Sequence, residues 1–385
     1  MRNEITLAAN IAFERCMALV QDLYDHPEIG NEEHHAMAVL SDALEADGFS
    51  VQRGYILPTA FLATYDSGKP GRTVAFMCEY DALPDVGHGC GHNLIAGIGV
   101  LSGMALKPLM DTLGGKLLVI GTPAEENFGG KVTMAEAGVF DGIDAALMIH
   151  PGSENSLGGR VNAIEPRKFE FHGQTAHGCA PQLGRSALDA AVMTYTALSM
   201  HRQYLEPGCF MHGIIRNGGS AANVIPDYAS MEYYFRAPNV AGALELANHG
   251  IAAAEAAAKA ARCELTVSVY EMPYGDIRIN YALAEKLREK YTELGLPDVK
   301  PVDEEPAGSS DVGAVSYRCP TLQGNIKIVE EGTPGHSTAM ACATIAESGR
   351  AALITGAGSL ADIAADILCD DAFAEAVRAE FMSGN

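Results

Sequence analysis

A chain of 385 residues exceeds what one ordinary core holds, and a composition 48% hydrophobic and 19% charged is that of a well-packed globular protein, so two domains are expected. Against 49 Asp and Glu stand 26 Lys and Arg; the net charge of -23 repels nucleic-acid phosphates and anionic lipid surfaces, which removes both from the candidate partners. Met1-Arg-Asn-Glu-Ile lacks the basic start and apolar run of a secretory signal, so the mature protein is expected to start here. The most apolar stretches, 93–110 and 351–368, are broken by Lys107 and by Asp362 and Asp366, so a soluble protein without a membrane span is expected. Nine cysteines without a regular framework point to reduced thiols in a cytoplasm.

In chain order, apolar residues at helical spacing predict helices over 7–24 and 32–46, and the Gly48-Phe-Ser turn leads into strand-like runs at 51–56 and 61–65. Short apolar runs at 74–78 and 116–120 end directly in polar clusters, as buried strands do whose ends deliver chemistry. Between them Asn93 is placed to cap a small-residue helix reaching Leu106, and a strand over 145–149 ends at His150. Strands alternating with helices predict a mostly parallel α/β sheet covered on both faces. From about Arg167 the pattern changes to a strand up to Phe171, a helix over 186–202, strands near 212–215 and 229–236, an Ala-rich helix to Ala261 and a strand over 264–270. This reads as an inserted α+β unit, residues 166–276, in a discontinuous domain of residues 1–165 and 277–385. A helix over 281–294, a loop around 303–311 and closing helices over 342–381 complete that domain.

The segment Cys78-Glu-Tyr-Asp-Ala-Leu-Pro84, followed by Gly87-His-Gly-Cys-Gly-His-Asn93, is the first dense cluster of groups able to bind a metal, with Cys90 and His92 as its best candidates. Cys90 and His92, freed to turn by the neighbouring glycines, pair a soft sulfur with an imidazole, which suits zinc or a similar transition metal. Alone, Cys-x-His is better read as a buried Cys beside a hydrogen-bonded His. Thr122-Pro-Ala-Glu-Glu-Asn127 puts two adjacent carboxylates at a strand end, where one can bind metal and its neighbour can move a proton, although an isolated Glu pair also suits a helix start. His150 follows a buried strand and is locked by Pro151; His336 sits in a glycine-flanked loop. Each His alone is more often structural.

In this order the segments resemble the M20 metallopeptidase family, and within it the amidohydrolase branch that includes aminobenzoyl-glutamate hydrolases, N-acyl amino acid hydrolases and certain dipeptidases. The likeness spans nearly the whole chain: His26-Pro-Glu-Ile-Gly-Asn-Glu-Glu33, Tyr80-Asp-Ala-Leu-Pro84, His88-Gly-Cys-Gly-His92, Pro123-Ala-Glu-Glu126 and Ile149-His-Pro151. The resemblance implies that Cys90, His92, Glu126, His150 and His336 hold two divalent metal ions per subunit, zinc first, with manganese, nickel or cobalt also in use. It implies further that Glu125 is the catalytic base and that Asp81 orients a ligand. Residues 166–276 then become a lid and dimerisation domain, giving a homodimer that could pair into tetramers. There His177 reaches a neighbouring subunit's site to hold the substrate carbonyl, and Asn223 and Arg236 match positions that contact substrate. Turn chemistry before Pro226 and an exposed strand charge are the structural readings of Asn223 and Arg236. The branch that hydrolyses auxin conjugates carries Asp where this chain has Asn93. Gly308-Ser-Ser-Asp-Val-Gly313 also points to the dipeptidase and aminobenzoyl-glutamate side.

The implied activity is metal-dependent hydrolysis of amide bonds in small substrates: dipeptides and N-acyl or N-aroyl amino acids such as p-aminobenzoyl-glutamate. Three alternatives remain open at this level. The same site could release an amine from an aromatic compound. A metal-binding protein could have lost catalysis, against which stands the retention of both Glu125 and Glu126. Cys90 could be a nucleophile, although a ligated thiolate is a poor one.

Overall fold

Successive side chains of a strand point to opposite faces, so a run buried at consecutive positions is a strand covered on both sides. Val74 through Cys78 are all buried in this way, as are Ala145 through Ile149. In the computed structural model, which describes residues 1–305 and 308–384, both runs lie at the centre of one sheet. Pro306 and Ala307, inside the loop expected around 303–311, and Asn385 lie outside the described residues.

The chain opens with helices α1 (Arg2–Asp25) and α2 (His34–Ala46), then strands β1 (Ser50–Arg53), β2 (Phe61–Asp66) and β3 (Thr73–Cys78). Helices α3 (His92–Leu106) and α4 (Met110–Leu113), β4 (Lys116–Gly121), α5 (Gly130–Glu136) and β5 (Ala145–Gly152) follow. The next stretch holds β6 (Ala163–His172), β7 (Ala176–His177), α6 (Ala187–His201), β8 (Phe210–Asn217), β9 (Val224–Ile225), β10 (Tyr228–Ala237), α7 (Val240–Ala261) and β11 (Glu264–Ser268). Then come α8 (Tyr281–Glu293), α9 (Val312–Ser316), β12 (Thr321–Lys327), α10 (Thr338–Ile345), α11 (Glu347–Cys369) and α12 (Asp371–Ser383).

Two compact units result. The first comprises Met1–Arg160, Ile277–Glu304 and Asp311–Asn385; the second comprises Val161–Asp276 with the short excursion Glu305–Ser310. In the first, the sheet order is β1-β2-β4-β3-β5-β12. The pairs β4–β3, β3–β5 and β5–β12 are parallel, while β1–β2 and β2–β4 are antiparallel, so this is a mostly parallel α/β sheet with an antiparallel edge. Helix α3 is buried along its whole length and packs with α1 and α11 in a core that includes Cys16, Val20, Leu94, Leu101, Leu353 and Leu360. In the second unit, β11-β6-β10-β8 form an antiparallel sheet on which α6 and α7 pack, closing a core of Phe169, Phe171, Tyr233, Phe235 and the alanines of both helices.

Some expectations change. The strand expected over 51–56 ends at Arg53, because the chain turns there: Gly54 and Ile56 take positive φ of 65° and 71°. Asn93 does not cap α3. The cap is Gly91, at φ +85°, and Asn93 lies in the first turn, where its amide donates to Val20 O (3.2 Å) and Thr344 Oγ1 (2.9 Å). Its side chain ties α3 to α1 and α10, as only a donor inside the helix can. By length and composition the helical stretch 92–113 and α11 do reach what a membrane span needs, contrary to expectation; both are mostly buried in the first unit, as core helices are.

Candidate metal centre

Because β3, β4 and β5 run parallel, the residues after each emerge at the same edge of the sheet. In chain order the path steps from β3 to β4 on one side, then back across to β5 on the other. That reversal opens the crevice in which α/β proteins place their chemistry. Beyond β3 lie Glu79, Asp81 and the glycine loop that starts α3 with Cys90 and His92. Beyond β4 lie Glu125 and Glu126, and His150 sits near the end of β5. His336 comes from the loop before α10, at a φ of +54°. Gly91 is needed for contact as well as conformation, since a Cβ there would sit 2.5 Å from Pro151 Cγ.

The donors converge. The ligand atoms of Cys90, His92 and His150 lie within 4.8 Å of one another, as do those of Cys90, Glu126 and His336, and those of His92, Glu125 and Glu126. Cys90 Sγ is 3.5 Å from His150 Nε2, and Glu126 Oε1 is 3.5 Å from His336 Nε2 and 3.9 Å from His92 Nε2. Two of the imidazoles are oriented from behind: Asp81 Oδ1 takes His92 Nδ1 at 2.8 Å, and the Pro151 carbonyl takes His150 Nδ1 at 2.7 Å. In each case Nε2 is the atom turned to the cluster. The other Asp81 oxygen accepts from the Glu126 amide at 2.9 Å, so one carboxylate fixes two donors.

The electrostatics fit divalent cations. His92 Nε2 and Glu126 Oε1 are buried without a hydrogen-bond partner among the described residues, and an orphaned buried polar atom asks for an explanation. Glu79, Asp81 and Asp311 are buried around the cluster with Glu125 and Glu126 beside them, while Lys131 is the buried cation among them. Burial pushes the Cys90 thiol up to about 12, so a thiolate here requires a cation next to it. Burial works against a charge on His92, but Asp81, Cys90 and Glu79 outweigh it and raise its pKa; the space at Nε2 therefore attracts positive charge, a proton or a metal. Burial, then Glu79 and Asp311, hold the Glu125 carboxyl well above the usual carboxylate range. Burial also opposes the Asp81 charge, but His92 and the Glu126 amide hold it low, so it stays ionised. A soft sulfur, three imidazoles and a carboxylate suit zinc and its transition-metal neighbours.

The three remaining candidates lie in the second unit. His177 ends β7 opposite Val224 of β9, and Asn223 immediately precedes β9, its carbonyl accepting from Gly178 N at 2.7 Å; both side chains are exposed. Arg236, on β10, is half-buried: Nη1 donates to Ser309 Oγ at 2.9 Å and the guanidinium lies over the Tyr234 ring. The sequence placed Glu79 in the first metal-binding cluster and Asp311 in a quoted motif without giving either a role, and passed over Lys131. The available signal was the Asp of Gly308-Ser-Ser-Asp-Val-Gly313.

A mostly parallel α/β sheet delivering thiol, imidazole and carboxylate donors to one crevice, with a further carboxylate beside them, defines the class of metal-dependent hydrolases that act on amide bonds. Residues 75–362 match Peptidase family M20/M25/M40. A Xaa-Arg dipeptidase of Mus musculus is 35% identical over 96% of this chain and 89% of its own. A p-aminobenzoyl-glutamate hydrolase chain of Escherichia coli is 34% identical over 59% of this chain and 52% of its own. A dinuclear metal-binding M20 peptidase of Bacillus subtilis has the same fold, with a TM-score of 0.68 and 19% identity over 93% of this chain and 99% of that one. The chain belongs to peptidase family M20/M25/M40.

Proposed function

We propose that this hydrolase cleaves small substrates ending in an amino acid, dipeptides and N-acyl or N-aroyl amino acids, at a centre of two divalent ions held by Cys90, His92, Glu126, His150 and His336. The observation that carries the reading is the set of three overlapping donor groups that share Cys90, His92 and Glu126, with Glu125 in the third. Ions bound there would polarise the substrate carbonyl and acidify a water. Glu125 takes the proton of the attacking water and returns it to the leaving nitrogen. Asp81 keeps His92 Nδ1 protonated and its Nε2 lone pair directed at the site. His177, from a partner subunit, donates to the carbonyl oxygen as charge develops on it, with Asn223 next to it at the start of β9.

Arg236 would take the substrate carboxylate; its Nε, buried without a hydrogen-bond partner among the described residues, supports that role. A thiolate with imidazoles makes zinc the favoured ion, ahead of manganese, nickel or cobalt. Exposed apolar residues on α6 and on the edge strand β8, Val192, Met193, Met200, Phe210 and Ile214, support pairing of two chains through the second unit. Nine free cysteines support a cytoplasmic location.

The test is a metal-loaded assay against dipeptides, Xaa-Arg among them, N-acyl amino acids and N-aroyl glutamates, with products identified by mass. Release of the C-terminal amino acid is expected. No turnover over the whole panel would favour a metal-binding protein without catalysis.

A further inference from the structure

Glu79, Lys131 and Asp311 form a buried cluster that the reading above leaves without a role. Lys131 Nζ lies 2.6 Å from Glu79 Oε1 and 2.7 Å from Asp311 Oδ1, and all three side chains are at most 1% exposed. The second Asp311 oxygen accepts from the Lys131 backbone amide at 2.9 Å, so Asp311 is spent on fixing Lys131. Glu79 is fixed through one oxygen only. Its other oxygen, Oε2, faces His92 Nε2 at 3.4 Å. The chain makes room for this clamp at Gly130, the first residue of α5: a Cβ there would sit 1.9 Å from the Pro123 carbonyl, so only glycine lets the start of α5 approach the loop that carries Glu125 and Glu126.

Charge counting makes a purely structural role a poor account. One buried lysine is neutralised by one carboxylate, yet two are present, and an unbalanced buried carboxylate is costly unless it meets a cation. The atom it meets is His92 Nε2, whose partner Nδ1 is held by Asp81. A carboxylate oxygen and an imidazole lone pair repel each other at 3.4 Å unless something positive lies between them. Two donors bound tetrahedrally to one zinc at ordinary bond lengths are about 3.3 Å apart.

We infer that Glu79 is a sixth protein donor of the metal centre, on the His92 side, and that Lys131, clamped by Asp311, is the positioning residue that aims it. The inference rests on the proposed reading of the centre. It predicts that removing the Glu79 charge weakens one of two metal sites while leaving the fold intact.

The measurement is titration of the folded, metal-free chain with zinc against a competing chromophoric chelator, together with the visible spectrum of the cobalt-loaded protein. Glu79→Gln, which keeps the side-chain shape, should raise one of the two zinc dissociation constants by at least about tenfold and alter the cobalt bands, as loss of a metal donor does. Lys131→Met alone strands two buried carboxylates and can fail to fold. The double variant Lys131→Met with Asp311→Asn removes one charge of each sign and should reproduce the zinc effect, with little further loss when Glu79→Gln is added. Wild-type zinc affinity and an unchanged cobalt spectrum in Glu79→Gln would overturn the inference, even if the melting temperature fell. A wild-type chain that takes up no zinc would overturn the reading of the centre itself.

Discussion

Asp81→Asn tests how the centre is held. Asp81 is 1% exposed, and its two oxygens accept from His92 Nδ1 at 2.8 Å and from the Glu126 amide at 2.9 Å. An asparagine offers one acceptor oxygen and an NH2 group that can only donate. If the oxygen keeps the Glu126 amide, the NH2 faces His92 Nδ1, which is left with only the neutral backbone carbonyl of residue 81, at 3.0 Å, as its acceptor. If the oxygen keeps His92, the Glu126 amide is buried against a donor. Either way one hydrogen bond to a charged acceptor is lost, about 1.5–3 kcal/mol. This agrees with the roughly 10–100-fold loss of metal affinity expected when the partner of a metal-bound His is removed. Chelator competition on the folded variant, with circular dichroism to verify the fold, measures it directly. Zinc affinity within about threefold of wild type in a folded Asp81→Asn chain would refute this account, because losing the carboxylate behind a metal-bound His costs more than that.

Further outcomes are expected from the same geometry. Glu125→Gln should keep its metals by elemental analysis and lose about 10²–10⁴-fold in kcat, the usual contribution of a positioned proton carrier. Cys90→Ser and His150→Ala should instead lower the metal content. Stripping the metals with a chelator should lower the melting temperature, since ions that bind only the folded chain stabilise it by about 4 kcal/mol at a thousandfold excess over Kd.

Glu33 sets a pH dependence of stability. Burial pushes its carboxyl up to about 7, against 4.5 in the unfolded chain, while Thr59 Oγ1 and the Ala124 amide donate to it. The folded chain therefore holds a proton that the unfolded chain releases. The stability it contributes is fully present below pH 4.5 and is lost as pH rises through 7. In melting curves from pH 4 to 8, wild type should lose ground to Glu33→Gln by on the order of 3 kcal/mol.

Much of the fold was legible in the sequence, because period and punctuation are local. The buried runs ending at Cys78 and before Thr122 announced strands, and the helix expected over 186–202 is α6, with Ser186 as its cap. The strand β12, by contrast, is anchored by parallel pairing with β5, a partner far away in sequence, and no local pattern marks it. The family was also written in the sequence, in the order of its motifs.

The working of the site was not. Glu125 and Glu126 are neighbours that sequence alone could assign to base and ligand only by resemblance. Convergence of the donors depends on three strands meeting side by side and on Asp81 gripping both His92 and the Glu126 amide. Nothing in the local sequence marks Lys131, and burial between Glu79 and Asp311 gives it meaning. Composition and periodicity decided which segments are buried, because burial follows the side chain itself. Which charges face each other inside was decided by tertiary structure, because an electrostatic partner is chosen by distance in space.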